Sequence, residues 1–229
     1  MFRIPVNRYP RGGWVIKLSG SQETRHRLLE AAIVEFAECG LEKATLRDIC
    51  ARAGVNLNAV KYHFDDKQGL YVAAVKSAHA VTKHVQEAPP ADSSPRELLR
   101  AFVAGLLEMA LSDERETVSH RLLVMREMIQ PSIATEEIVC SFIKPRFAQL
   151  DAILTELLPP DTPSIDRHLM ALSVVGQCLH YKVGRCVDQM LIAPSEYRRY
   201  TLPRLTEHVT QVILAAIDAK WQSPKPIVS

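Results

Sequence analysis

The sequence predicts an all-α protein: a three-helix, helix-turn-helix head followed by a helical bundle. Three observations carry that expectation. Apolar residues recur at helical spacing from about residue 22 onward, without the alternation of strands. Thr45–Tyr71 reads as two short helices joined by a tight turn, with a third starting just after. Gln86–Ser94 breaks the periodicity with two prolines, an aspartate and two serines, the clearest linker signal in the chain.

Within Thr45–Tyr71, Thr45 caps the first helix and Asp48, three residues on, completes a capping box. Leu46, Ile49 and Cys50 share one face, and Ala51 is small enough to sit near a crossing helix. Gly54 stops the helix, because the residue past a helix end often needs the left-handed conformation. Val55 is the apolar pin of the turn, and Asn56 caps the next helix, which runs to about Phe64. Val60 and Phe64 point inward at i, i+4, leaving Leu57, Asn58, Lys61 and Tyr62 outward. A helix presented this way fits a DNA major groove: Lys61 is cationic, Asn58 carries an amide for base edges, and Tyr62 and His63 carry polar tips. An ordinary helical hairpin with a solvated face fits the same periodicity.

Residues 1–20 carry Arg3, Arg8, Arg11 and Lys17 and no acid, while Pro5, Pro10, Gly12 and Gly13 oppose a regular helix. We read them as a basic, disordered arm; lying along DNA is the alternative. The first helix spans about Gln22–Cys39 and ends at Gly40, with Leu29, Ala32, Ile33 and Phe36 as its buried stripe. Thr24 and Arg25 on its polar face are placed to reach phosphates. Asp65 or Asp66 caps a fourth helix, about Lys67–Val85, so that Lys67 lies at a helix N-terminus suited to a phosphate. Residues 21–86 then form the DNA-binding domain, and residues 87–229 a ligand-binding and dimerisation domain.

Ser94-Pro95-Arg96-Glu97 starts the rear domain with a capping box and proline at the first helical position. Further helices are predicted at about 95–111, 114–130, 134–158, 164–190 and 198–221, with Pro145 kinking the third. In the last two, Leu169, Leu172, Val175, Gly176, Leu179 and Val183 make one broad apolar face, and Leu205, Val209, Val212, Ile213, Ala216 and Ile217 another. Arcs this wide bury two sides, which predicts a homodimer built on these two helices from each chain. Polar groups in apolar helices need partners. Met125, Arg126 and Met128 on one helix, with Gln177, His180 and Tyr181 on another, are the expected ligand-binding residues. The alternative is a structural network, with Glu127 on an arginine and His180 on a backbone carbonyl.

The residues Thr45-Leu46-Arg47-Asp48-Ile49, Ala51-Arg52-Ala53-Gly54-Val55 and Tyr62-His63-Phe64, with Lys67 and Leu70, resemble the tetracycline-repressor (TetR) family of bacterial regulators. Ala31-Ala32, Phe36 and Gly40 match too, so the resemblance covers roughly residues 22–72. It implies that Thr45, Arg47, Asn56, Leu57, Asn58, Lys61, Tyr62, His63 and Lys67 meet double-stranded DNA, with Lys67 as a backbone contact. It also implies a dimer released from its operator when a small-molecule effector moves the fourth helix. Many members carry an aromatic residue where this chain has Lys61, so operator sequences do not transfer. His120 through Pro131 and Val175-Gly176-Gln177-Cys178-Leu179 resemble the CecR-like branch of the family.

Composition limits the alternatives. Residues 1–85 hold 13 Lys/Arg against 8 Asp/Glu, and residues 86–229 hold 15 against 18, so the positive charge lies toward the front. Five cysteines without a C-x-x-C fit reduced thiols in a cytoplasm. No apolar run reaches the length of a membrane span, and no cleavable leader is evident. No G-x-S-x-G, phosphate loop or H-E-x-x-H is present, and the eight histidines are scattered; an enzyme is not expected, nor a cofactor. Cys178, His180 and Cys186 are near in sequence, but Cys178 and His180 point to different helix faces, so no metal site is expected. A metal- or redox-sensing regulator and a non-specific architectural DNA binder remain the alternatives.

Overall fold

The computed structural model describes residues 7–8, 14–15, 20–81, 89–90, 92–111 and 118–219. Two short strands, β1 (Asn7–Arg8) and β2 (Trp14–Val15), pair antiparallel with Asn7 opposite Val15. The rest of the expected basic arm lies outside the described residues, as do 82–88 and 91 of the linker region. The helices follow in order: α1 (Gly20–Lys43), α2 (Leu46–Ala53), α3 (Leu57–Phe64), α4 (Lys67–Val81), α5 (Pro95–Leu111), α6 (Val118–Ile129), α7 (Thr135–Ile138), α8 (Lys144–Leu157), α9 (Ser164–Val183), α10 (Arg185–Leu191), α11 (Pro194–Tyr197) and α12 (Leu202–Asp218). Among the described residues no helix is long and apolar enough to cross a membrane.

The chain divides into two compact units: Met1–Val81 with Glu116–Glu137, and Thr82–Arg115 with Ile138–Ser229. In the first, α1 buries Leu28, Leu29, Ala32, Ile33 and Phe36 against α2, α4 and α6. Each of the leucine, isoleucine and phenylalanine side chains contributes roughly 1.5–3 kcal/mol of apolar transfer. The helical part of α1 stops at Gly40, with φ 77° and ψ 169°. Phe36 meets the Tyr71 ring of α4 edge to face, at 4.9 Å between centroids. Helix α6, expected in the rear domain, packs on α1 and α4 through His120, Leu123 and Glu127. Its Arg126 guanidinium donates to the Ala37 carbonyl at 3.4 Å, close to the helix break at Gly40.

In the second unit α5 is central, packing against α8, α9 and α12. Leu99, Val103, Leu107, Leu150, Leu154, Ala171, Val174 and Val209 form its core, each at most 1% exposed. Ser94 and Glu97 make the expected capping box: the Ser94 N–H and hydroxyl both donate to the Glu97 carboxylate at 2.7 Å, and the Glu97 N–H returns to Ser94 Oγ at 3.4 Å. Those hydrogen bonds hold the Glu97 carboxyl below its ordinary range.

Several boundaries differ from expectation for local reasons. Ala51 is exposed, and Ala53 is the small residue buried in α2. Pro145 sits in the first turn of α8, and the chain before it takes a π-helical turn, Val139–Ile143, rather than a simple kink. The expected 164–190 helix is two helices split at Gly184. The last helix starts at Leu202, with Thr201 in extended conformation before it.

The joint between α3 and α4 leaves little room for a side chain. Asp65 has φ 67°, the Asp66 N–H returns to the Phe64 carbonyl at 2.8 Å, and Asp66 Oδ1 accepts from the Gly69 N–H at 2.8 Å. A Cβ at Gly69 would lie 2.1 Å from the Phe64 carbonyl oxygen. We predict that Gly69→Ala forces backbone apart at this joint and costs about 1–3 kcal/mol, as overpacking does. Chemical denaturation of the full chain measures it, and an unchanged midpoint would contradict the packing described.

Candidate nucleic-acid interface

The candidate interface is built from α2, the turn after it and α3. Thr45 is extended at the N-cap of α2; its hydroxyl oxygen accepts from the Asp48 N–H at 3.1 Å and its proton goes to Asp48 Oδ2 at 2.5 Å. Gly54 closes α2 in the left-handed region, φ 64° and ψ 41°, where a Cβ would cost about 1–2 kcal/mol. The Gly54 and Val55 N–H groups return to the Ala51 and Cys50 carbonyls. Asn56 then caps α3 through Oδ1, which accepts from the Ala59 N–H at 3.1 Å.

With Val60 1% and Phe64 7% exposed against the head's core, the register of α3 is set, and its opposite face turns outward. Leu57 is 54% and Tyr62 78% exposed; Asn58 and Lys61 are exposed, and His63 is half-buried with its ring edge-on to Tyr62 at 4.7 Å. Arg47 projects from α2 into solvent. Arg52 is tied down instead, bridging Glu35 at 3.2 Å and Glu38 at 3.4 Å on α1.

Three expected phosphate-facing groups are engaged within the head. The Lys67 ammonium donates to the Glu42 carbonyl at 3.0 Å, drawn to the negative end of α1. It has three N–H donors, so this bond leaves capacity for an anion. The Thr24 hydroxyl donates to the Gly20 carbonyl at 2.8 Å, and the Arg25 guanidinium lies over the Phe64 ring, 5.2 Å from its centroid. Arg25 thus stands beside the recognition helix.

The expected ligand residues fall into two groups, one per unit. On α6, Met125 is half-buried, Met128 is 57% exposed and Arg126 is on the Ala37 carbonyl. On α9, Gln177 and Tyr181 are half-buried, while exposed His180 lies 3.2 Å from Asp188 Oδ1. Neither structural pairing anticipated from the sequence is the one formed. Glu127 takes Tyr71, Ser132 and Thr135 rather than an arginine, and His180 takes a carboxylate rather than a carbonyl. Burial pushes the Cys178 thiol up to about 12, whereas His180 faces outward, so these two do not converge. The sequence reading passed over Thr206 and Thr210, 3% and 4% exposed on α12. Their hydroxyls have no hydrogen-bond partner among the described residues. The signal was present: two threonines at i, i+4 interrupt an apolar stripe.

A capped helix, a glycine turn and a second helix with a polar outer face define a helix-turn-helix DNA-binding regulator. Comparison with known proteins narrows this. The family model "Bacterial regulatory proteins, tetR family" matches residues 28–74, and "HTH-type transcriptional dual regulator CecR, C-terminal domain" matches residues 95–219. The chain belongs to the TetR family of transcriptional regulators and carries a CecR-type C-terminal domain. It is 24% identical over 209 residues to the HTH-type transcriptional dual regulator CecR of Shigella flexneri, covering 86% of this chain and 91% of that one. Two solved structures share the fold. A TetR-like transcriptional regulator from Rhodococcus sp. RHA1 has a TM-score of 0.57 at 16% identity, covering 89% of this chain and 99% of that chain. The regulator FadR from Bacillus subtilis, in complex with stearoyl-CoA, has 0.54 at 17%, covering 84% and 98%.

The contact classes separate by mutation. Asn58→Ala and Lys61→Ala should each cost about 1–3 kcal/mol of DNA affinity and shift which base is preferred. Lys67→Ala should weaken binding to all sequences alike and flatten the salt slope. Unaltered base preference in Lys61→Ala would reduce that residue to a backbone contact or none.

Proposed function

We propose that the protein is a ligand-responsive, sequence-specific repressor, released from a palindromic operator by a small hydrophobic molecule, and that it works in the cytoplasm. The observation that carries the reading is the outer face of α3, where Leu57, Asn58, Lys61 and Tyr62 stand clear of the core on a helix capped at a glycine turn. Thr45, Asn56 and His63 complete the interface in this reading, Thr45 and Asn56 chiefly by holding α2 and α3 in place. Arg47, Lys67 and Arg25 supply charge for the phosphates.

The second unit supports a homodimer through α9 and α12. The chain's own core uses Met170, Ala171, Val174 and Cys178 of α9, which leaves Leu169, Leu172 and Val183 at 45%, 58% and 60% exposed. Gly176 is also exposed, with open space where a Cβ would be. On α12, Val212 is 43% exposed. Apolar faces of this kind mark interaction sites, and a two-fold dimer presents two recognition helices to half-sites about one helical turn apart. The effector reading rests on Gln177 and Tyr181 of α9 with Thr206 and Thr210 of α12, buried or half-buried polar groups in an apolar unit. Ligand and operator oppose each other by a coupling free energy that is reciprocal.

The test is titration of purified protein onto DNA flanking its own gene, with footprinting at two salt concentrations. Protection of an inverted repeat that survives moderate salt is expected. Weak protection without sequence preference, lost at moderate salt, would favour the architectural reading. Leu172→Asp should convert the dimer to monomer by light scattering at micromolar protein while helical content is kept. A wild-type chain that is already monomeric there would overturn the interface.

A further inference from the structure

Glu127 is a carboxylate only 2% exposed, and its four donors are all neutral. Tyr71 of α4 donates its phenol proton at 2.8 Å. The Ser132 N–H donates at 3.0 Å, the Ser132 hydroxyl lies 3.0 Å from both carboxylate oxygens, and the Thr135 hydroxyl donates at 2.5 Å. Ser132 and Thr135 follow α6 closely in sequence and fold the turn after it back onto its own carboxylate. Tyr71 is different: it comes from a helix 56 positions earlier. It is itself 2% exposed, with its ring held edge to face by Phe36.

Burial alone would raise the Glu127 carboxyl, but the bonds from Thr135, Tyr71 and Ser132 outweigh it and leave the group below the usual carboxylate range. Burial, then the bond to this carboxylate, pushes the Tyr71 phenol up to about 12. The pair is therefore a phenol donating to a charged acceptor in a dry site, where a missing donor is expensive. Arg126, next to Glu127, turns to the Ala37 carbonyl of α1, so α6 is fastened to two helices of the head by adjacent residues. Tyr71 stands four residues beyond the start of α4, two residues past Gly69, whose Cα packs against the Phe64 carbonyl. A constraint on Tyr71 is therefore a constraint on the C-terminus of the recognition helix.

We infer that Tyr71 and Glu127 are positioning residues for DNA binding: their hydrogen bond holds α4, and through the α3–α4 joint the recognition helix, in a fixed relation to α6. The inference rests on the DNA-binding reading of α3. Thr135 serves the same carboxylate but makes no hydrogen bond to α4 among the described residues, so it separates positioning from mere support of a buried charge.

The experiment uses the full chain with Tyr71→Phe, Glu127→Gln, Thr135→Ala and the Tyr71→Phe/Glu127→Gln double variant. Phenylalanine keeps the ring on Phe36 and removes only the hydroxyl. Affinity for the protected inverted repeat is measured well below each variant's melting temperature, alongside backbone hydrogen exchange. Tyr71→Phe and Glu127→Gln should each weaken binding about tenfold, the lower range for a hydrogen bond to a buried charge. The double variant should lose little more than either single. Thr135→Ala should stay within about twofold of wild type, since its site lies outside the linkage. Exchange should quicken in α4 and α6 of Tyr71→Phe while the core of the second unit keeps its protection. Wild-type affinity in Tyr71→Phe overturns the inference, as does an equal loss in all three single variants that tracks their melting temperatures. If the wild-type chain protects no specific DNA, the reading of α3 fails separately. The exchange pattern then decides the clamp alone, and uniform or unaltered exchange in Tyr71→Phe overturns it.

Discussion

The inward packing of Val60 and Phe64 is the constraint from which the rest of the head follows. Because both are buried at i, i+4, α3 has one available rotation about its axis. That rotation sends Asn58, Lys61 and Tyr62 outward together. Two capping residues and one left-handed glycine fix the length and direction of the helices on either side of the turn. Arg52 ties α2 to α1 through the largely buried Glu35. The outer face is thus polar by composition and rigid by construction, which a protein reading base edges requires.

Charge is disposed to suit the same end. The positive excess of residues 1–85 comes from residues 1–20, with four cations and no acid, and from Lys67, Lys76 and Lys83, while α1 holds three cations against five acids. The second unit is electrically balanced, with 14 Lys/Arg against 14 Asp/Glu, and invests instead in apolar surface. Its α9 is apolar on two sides: one side is spent on the internal core, and the other remains exposed in the isolated chain. Ion pairs between α5 and α12, Arg96 with Asp218 and Arg100 with Glu207, are half-exposed and add little to stability. Helix packing through α5 holds that unit together.

Much of the head was legible because its signals are local. Thr45, Gly54 and Asn56 act through neighbours within a few residues, and the caps and turn form where their spacing predicts. What sequence spacing did not reveal depends on residues far apart in the chain. The grouping of α6 with α1 and α4 rests on Tyr71 meeting Glu127 and on Arg126 meeting Ala37, contacts across 56 and 89 positions. Helical periodicity ranks a face as apolar but does not say which neighbour covers it. The outward turn of Leu172 and the docking of Lys67 on Glu42 were invisible for that reason. Gly184 and Pro145 punctuate the rear helices as their chemistry demands, yet whether a proline yields a kink or a π-turn is settled by packing.

The central claim is that the exposed face of α3 lies against DNA. A photo-cross-linking amino acid in place of Tyr62, compared with one in place of exposed Gln211 on α12, tests it most directly. On irradiation with DNA from the protein's own promoter region, the account predicts a cross-link from position 62 to bases or backbone within the protected repeat, and none from position 211. Equal cross-linking from both positions, or none from position 62 while the complex is intact, would contradict it.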